Sequence, residues 1–259
     1  MGLKRMTFLL CILAVAVSTN AQGQQDLQAI SVLTQSLTAM GGLTVMNGIQ
    51  DYTETGTITY NWANAPVQAP VTVQSMGLTT FRFDSALSNG TQTWAVDGMT
   101  GVLIAPDGTR QPAAFYNLYT AGSLALPALR VAAVLQSPAL NITYVGPVTL
   151  NGNATYQIHC VLPSDPSNPL PPGLTAYGTF DLFIDATSLL LDSLQETAYS
   201  NSNSQLSFAH EIDFSNYQIV SGVSAPFAIT ESVGGQQTWT MALTSLSFNS
   251  GLTESVFTP

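Results

Sequence analysis

Glu54-Thr55-Gly56-Thr57-Ile58-Thr59-Tyr60-Asn61-Trp62 decides how this chain is read. Gly56, Ile58, Tyr60 and Trp62 fall on one face and the threonines with Asn61 on the other, the period of a half-buried β-strand. Shorter runs of the same kind follow at Val71 to Met76, Thr80 to Asp84, Gln92 to Val96 and Gly101 to Ile104. The turn signals Ser88-Asn89-Gly90, Asp97-Gly98 and Asp107-Gly108 separate them, which predicts antiparallel hairpins in chain order. Further strands are predicted at Ile142 to Leu150 and Ala154 to Val161, joined by Asn151-Gly152. Long ones follow at Tyr177 to Asp185, Leu189 to Thr197, Gln205 to Ile219, Phe227 to Val233 and Gln237 to Phe248. In the last, Trp239, Met241 and Leu243 give way to Leu246 and Phe248 in the opposite phase, so a bulge is expected near Thr244-Ser245.

Two regions break this period. Asp26 caps a predicted helix to about Met40, with Leu27, Ile30, Leu33 and Leu37 as its apolar stripe and Gly41-Gly42 as its stop; a second short turn is expected from Leu43 to Ile49. Between Pro112 and Ser137, leucines and valines among alanines predict one or two helices, with Pro127 near the start of the second. Residues Pro163 to Gly173 hold five prolines and read as an exposed loop within a single domain spanning 22–259.

At the start, Lys4 and Arg5 precede an apolar run from Phe8 to Val17 that ends in small residues at Ala21. This is the pattern of a secretory signal peptide, residues 1–21, and the run is well short of the roughly 20 residues a membrane-spanning helix needs. The expected destination is the periplasm or the medium, with no stable membrane insertion. Removal of that segment takes Cys11 with it and leaves Cys160 alone, so no internal disulfide is available. It also leaves Arg82, Arg110 and Arg130 against all 15 acidic residues, a net charge of −12. Such a surface repels phosphate backbones, which argues against nucleic-acid binding.

The inventory for catalysis is thin. His159 and His210 with one thiol form no metal-ligand spacing and no Cys-His pair, and neither a nucleophile elbow nor a phosphate-binding loop occurs; no cofactor is expected. Glu211 with Asp213, and Asp181 with Asp185, alternate as residues on the wet face of a sheet do, and a hydrolase built on Glu211 and Asp213 is the weakest reading. What remains is apolar bulk. Tyr60, Trp62, Phe81, Phe83, Trp94, Phe208, His210 and Trp239 are the expected lining of a hydrophobic cavity, should the helices cover the sheet without filling it. An ordinary close-packed core satisfies the same sequence.

The order of elements carries a resemblance: a helix ending Met40-Gly41-Gly42, Leu43 to Ile49, a Thr-rich strand, a mid-chain helical insertion, Phe183-Ile184-Asp185-Ala186-Thr187 at a strand end, and Phe248-Asn249 with Phe257. It resembles the periplasmic lipoprotein carrier (LolA-like) superfamily. The resemblance implies a mainly β fold with a few helices: a curved antiparallel sheet forming an incomplete β-barrel, capped by helices and receiving acyl chains. Family carriers place an arginine just before the strand that here begins near Thr79, where this chain has Met76-Gly77-Leu78. Arg82 lies several residues later; the difference counts against delivery of lipoproteins to a receptor more than against binding of a lipid or another hydrophobe. The expected function is thus non-enzymatic binding of a lipid acyl chain or another hydrophobic small molecule, with no protein partner identifiable. A surface or matrix interaction module without a cavity is the alternative.

Overall fold

The computed structural model describes residues 23–61, 65–98, 100–118, 126–162 and 178–258. The segment read as a signal peptide, the proline-rich segment 163–173 and Trp62 lie outside the described residues. Thirteen strands form one antiparallel sheet in the order β6-β5-β4-β3-β2-β1-β13-β12-β11-β10-β9-β8-β7. They are β1 Tyr52–Tyr60, β2 Val67–Met76, β3 Thr80–Leu87, β4 Gly90–Asp97, β5 Thr100–Ile104, β6 Arg110–Pro112, β7 Asn141–Leu150, β8 Asn153–Val161, β9 Thr179–Asp185, β10 Leu191–Ser200, β11 Asn203–Val220, β12 Val223–Val233 and β13 Gln236–Phe248. The sheet does not close on itself: β6 and β7 are its two edges, and the architecture is an incomplete β-barrel with helices.

Turn chemistry sets the hairpins. Asn151 (φ 51°) and Gly152 (φ 86°) both take the left-handed backbone that a two-residue hairpin loop requires. β2 starts earlier than its apolar run because Val67 to Pro70 pair with β1 alone, β3 reaching only to Val71, so Pro70 occupies an edge where its missing N–H costs no ladder bond. The expected bulge is present: Thr55 pairs with Ser245 and Gly56 with Leu243, which leaves Thr244 extra. Gly56 is required there, since a Cβ would lie 2.2 Å from the Ala242 carbonyl oxygen.

α1, Leu27–Ala39, is capped by Asp26, whose Oδ1 accepts from Gln28 N at 2.7 Å. It ends where Gly42 N donates to Leu37 O, with Gly41 and Gly42 at positive φ. Its buried stripe is Ala29, Val32, Leu33, Ser36 and Leu37. Leu27, expected in that stripe, is 85% exposed: the phase set by Leu33 and Leu37 passes through the small Ala29 and turns the first position outward. α2 is Leu43–Asn47, and α3, Pro127–Gln136, starts with its proline in the first turn. α3 packs on α1, α2 and β12 and buries Ala128, Val131, Ala132 and Val134. None of the described helices is long and apolar enough to cross a membrane.

Candidate functional site

Because side chains alternate along each strand, the inner face collects one residue in two, and on β1, β3, β4 and β13 these include Tyr60, Phe81, Phe83, Trp94 and Trp239. Phe81 meets Trp94 edge-on at 5.6 Å between centroids, and Phe83 lies 6.1 Å from Trp239. Tyr60 turns its hydroxyl to Ser85 Oγ at 2.7 Å, which satisfies the one polar atom this wall buries at that point. Tyr60, Phe83, Trp94, Leu103 and Trp239 line a cleft of about 240 Å³. Trp94, Leu103 and Glu231 are shared with a second cleft of about 250 Å³, bounded by Ala198, Tyr199, His210 and Val233. A third, of about 460 Å³, lies beside α3. Of these three clefts, only the last is lined by residues of α3.

Of the eight expected lining residues, the structure brings Tyr60, Phe83, Trp94, His210 and Trp239 to the two joined clefts. Phe81 stands behind them, buried against Trp94 and Phe83. Phe208 is 37% exposed and borders neither cleft, a correction to the sequence reading. Its strand explains this: β12 pairs with β11 only from His210 onward, so residues 203–209 lie beyond that partner.

His210 forms the polar node of the wall. Its Nδ1 lies 3.0 Å from Glu196 Oε1 and its Nε2 3.1 Å from Glu231 Oε1, with all three side chains no more than 16% exposed. Burial disfavours the imidazolium, but hydrogen bonds and charge from both carboxylates outweigh it and lift the pKa to about 9. Glu231 also accepts from Thr238 Oγ1. A ring protonated at both nitrogens, each held by a carboxylate, cannot take a proton from a substrate.

Other buried groups are equally quiet chemically. Burial pushes the Cys160 thiol up to about 12, far from a nucleophilic thiolate. Glu54, enclosed on β1 with Oε2 lacking a hydrogen-bond partner, is pushed up to about 8 by burial and is mostly a neutral acid at pH 7. On the outer face, the Asn151 amide donates to Glu211 Oε1 at 3.2 Å and to Asp213 Oδ1 at 3.3 Å. The two carboxylates meet at that amide, and burial, with Glu211 beside it, raises the Asp213 pKa to about 6; of the two, only Glu211 borders a cleft of about 340 Å³. His159, also facing outward, pairs with Asp181 Oδ1 at 3.0 Å. Among the described residues no cluster of His, Cys, Asp or Glu could hold a metal ion.

Glu54, Glu196, Glu231 and Arg130 are the residues that sequence reasoning passed over. The three acids carried a signal: Glu54 is in phase with Ile58 and Tyr60, Glu196 with Leu194, and Glu231 with Ile229 and Val233, each a charge on an apolar face.

No family model matches the sequence, and no curated protein matches it. Solved structures do. A domain classed as an outer-membrane lipoprotein-sorting protein, from Vibrio parahaemolyticus, superposes with a TM-score of 0.54 at 10% identity, over 89% of this chain and 96% of its own. A LolA superfamily protein from Nitrosomonas europaea gives 0.54 at 12% identity, over 89% and 97%. A DUF1329 family protein from Desulfovibrio piger gives 0.53 at 9% identity, over 89% and 96%. The chain has a LolA-like fold.

Proposed function

We propose that the protein is an exported, non-catalytic binder of a lipid acyl chain or a similar hydrophobic molecule, held in the clefts of its half-barrel. The observation that carries this reading is the pair of joined clefts walled by Tyr60, Phe83, Trp94, Leu103 and Trp239. Burial of each methylene contributes about 0.8 kcal/mol, so roughly ten match the 8 kcal/mol of a micromolar complex before the cost of association is set against them. The lipoprotein-sorting description of the Vibrio structure is compatible with a lipid ligand, and both nitrogens of His210 are engaged by carboxylates, which speaks against an acid–base role. Export rests on the signal peptide read in residues 1–21, and residues 22–259 then form one domain.

The test is mass spectrometry of organic extracts from mature protein purified without detergent from its native compartment, beside a control protein handled identically. A stoichiometric lipid is the expected result. A clean extract together with no uptake of a fluorescent fatty-acid probe would overturn the reading in favour of an interaction module.

A further inference from the structure

α1 packs on β7 and β9, and the seam between helix and sheet is polar. Beside the buried stripe of α1, Gln28, Ser31 and Gln35 recur at three- and four-residue steps and form one exposed row. Across from them stand Tyr144 and Tyr156, each in phase along its strand with a buried isoleucine, Ile142 and Ile158. Their ring centroids are 6.1 Å apart, with the planes inclined by 48°. The turn after β9 supplies a third side. There Asp185 Oδ1 accepts from Thr187 N, Ser188 N and Ser188 Oγ at 2.6 to 3.0 Å, which sets the position of Thr187.

These elements border a cleft of about 520 Å³, within the roughly 300–1,000 Å³ typical of small-molecule sites. Among the described residues no charged side chain lines it, although the chain carries 15 acidic residues. Its hydrogen-bonding groups are open to a ligand. Among the described residues the Gln28 side-chain amide and the hydroxyls of Thr187, Tyr144 and Tyr156 have no partner, and Gln35 donates only within α1, to Ser31 O and Oγ. An ionic ligand would find no opposite charge here, and a hydrocarbon chain would strip water from these groups without replacing it. Uncharged donors and acceptors on three sides, with two tyrosine rings among them, match the hydroxyl rim and the C–H faces of a sugar.

We propose that this cleft binds a neutral oligosaccharide, with Tyr144 and Tyr156 packing against its rings and Gln28, Gln35 and Thr187 hydrogen-bonded to its hydroxyls. The site is separate from acyl binding, since it shares no lining residue with the two joined clefts. The experiment titrates the mature protein with maltohexaose, mannohexaose, xylohexaose and the hexamer of N-acetylglucosamine, followed by backbone amide NMR. Hexagalacturonate serves as the anionic counterpart. At least one neutral hexamer shifts the amides of residues 28, 31, 35, 144, 156 and 187 saturably, and hexagalacturonate binds more weakly. Gln28→Ala and Thr187→Ala, both at exposed positions, each weaken binding by at least about threefold, the loss of one neutral hydrogen bond. Tyr144→Leu and Tyr156→Leu, which keep apolar bulk and remove the rings, weaken it further, with their folds checked by thermal melting.

Absence of amide shifts with all four neutral hexamers at about 10 mM overturns the proposal, as that excludes even a millimolar complex. Equal binding of hexagalacturonate overturns it too, and so does an affinity that none of the four substitutions changes. Displacement of a bound apolar probe by the saccharide overturns it as well, by placing the sugar in the aromatic clefts. Failure of the protein to take up that probe at all bears on the acyl-binding reading alone.

Discussion

Glu54→Gln tests whether the interior is as dry as its geometry implies. Glu54 titrates at about 8 in the folded protein against an ordinary value of 4.5, with burial as the cause. The folded state therefore holds this proton more tightly than the unfolded chain does. Its contribution to stability is complete below pH 4.5, declines as the pH rises and is lost above about 8. At about 1.4 kcal/mol per pH unit, the whole interval corresponds to about 5 kcal/mol, and the part up to pH 6 to about 2 kcal/mol. Glutamine keeps the shape and has no proton to lose. Urea unfolding of both proteins at pH 5, 6, 7 and 8.5 supplies the comparison, and taking the difference at each pH cancels groups common to both. The variant should match the parent near pH 5 and exceed it by several kcal/mol at pH 8.5. A difference that stays constant across that range would refute the argument, because it would mean that water reaches the carboxylate in the folded state.

His210 should hold its protonated NMR shifts through pH 8, with a midpoint near 9; the stability it contributes, about 3 kcal/mol, is present below pH 6.5 and lost as the pH rises through 9, and a midpoint near 6.5 would contradict the two-carboxylate clamp. Asp51, 3% exposed, accepts from Ser250 N and Oγ, Gly251 N and Leu252 N at 2.7 to 3.2 Å, so Asp51→Ala should cost about 2–4 kcal/mol in thermal or urea unfolding and speed amide exchange at 250–252. Gly56→Ala should destabilise by about 1–3 kcal/mol, measured the same way, because its Cβ has no room against the Ala242 carbonyl. Trp239→Ala should weaken uptake of an apolar probe while Phe208→Ala leaves it unchanged, as only Trp239 lines a cleft.

Local signals made most of the sheet legible in the sequence. Alternation and Gly-containing turns placed the hairpins, and the phase slip in β13 announced the bulge at Thr244. The three-residue β6 carried too few residues to show a period, and the Leu27 stripe misled because helical spacing alone does not say which flank of a helix the sheet will cover. The aromatic wall was readable because its residues share one phase with their strands. Arg130 was not readable: nothing in Ala128-Leu129-Arg130-Val131 says that its guanidinium reaches Phe180, on a strand some fifty residues later. Nor could spacing show that His210 sits between acids of two neighbouring strands, since that depends on register.

The strand order also has a kinetic meaning. Of the twelve pairings among the described strands, eleven join neighbours in the chain and one, β1 with β13, joins segments separated by nearly the whole sequence. Each meander, β1–β6 and β7–β13, can zip from its turns with little loss of loop entropy, whereas the β1–β13 seam must wait for a long closure. Gly56 and the Thr244 bulge lie in that seam. Weakening a late-forming seam speeds unfolding more than it slows folding, and Gly56→Ala should therefore act mainly on the unfolding rate in denaturant-jump kinetics.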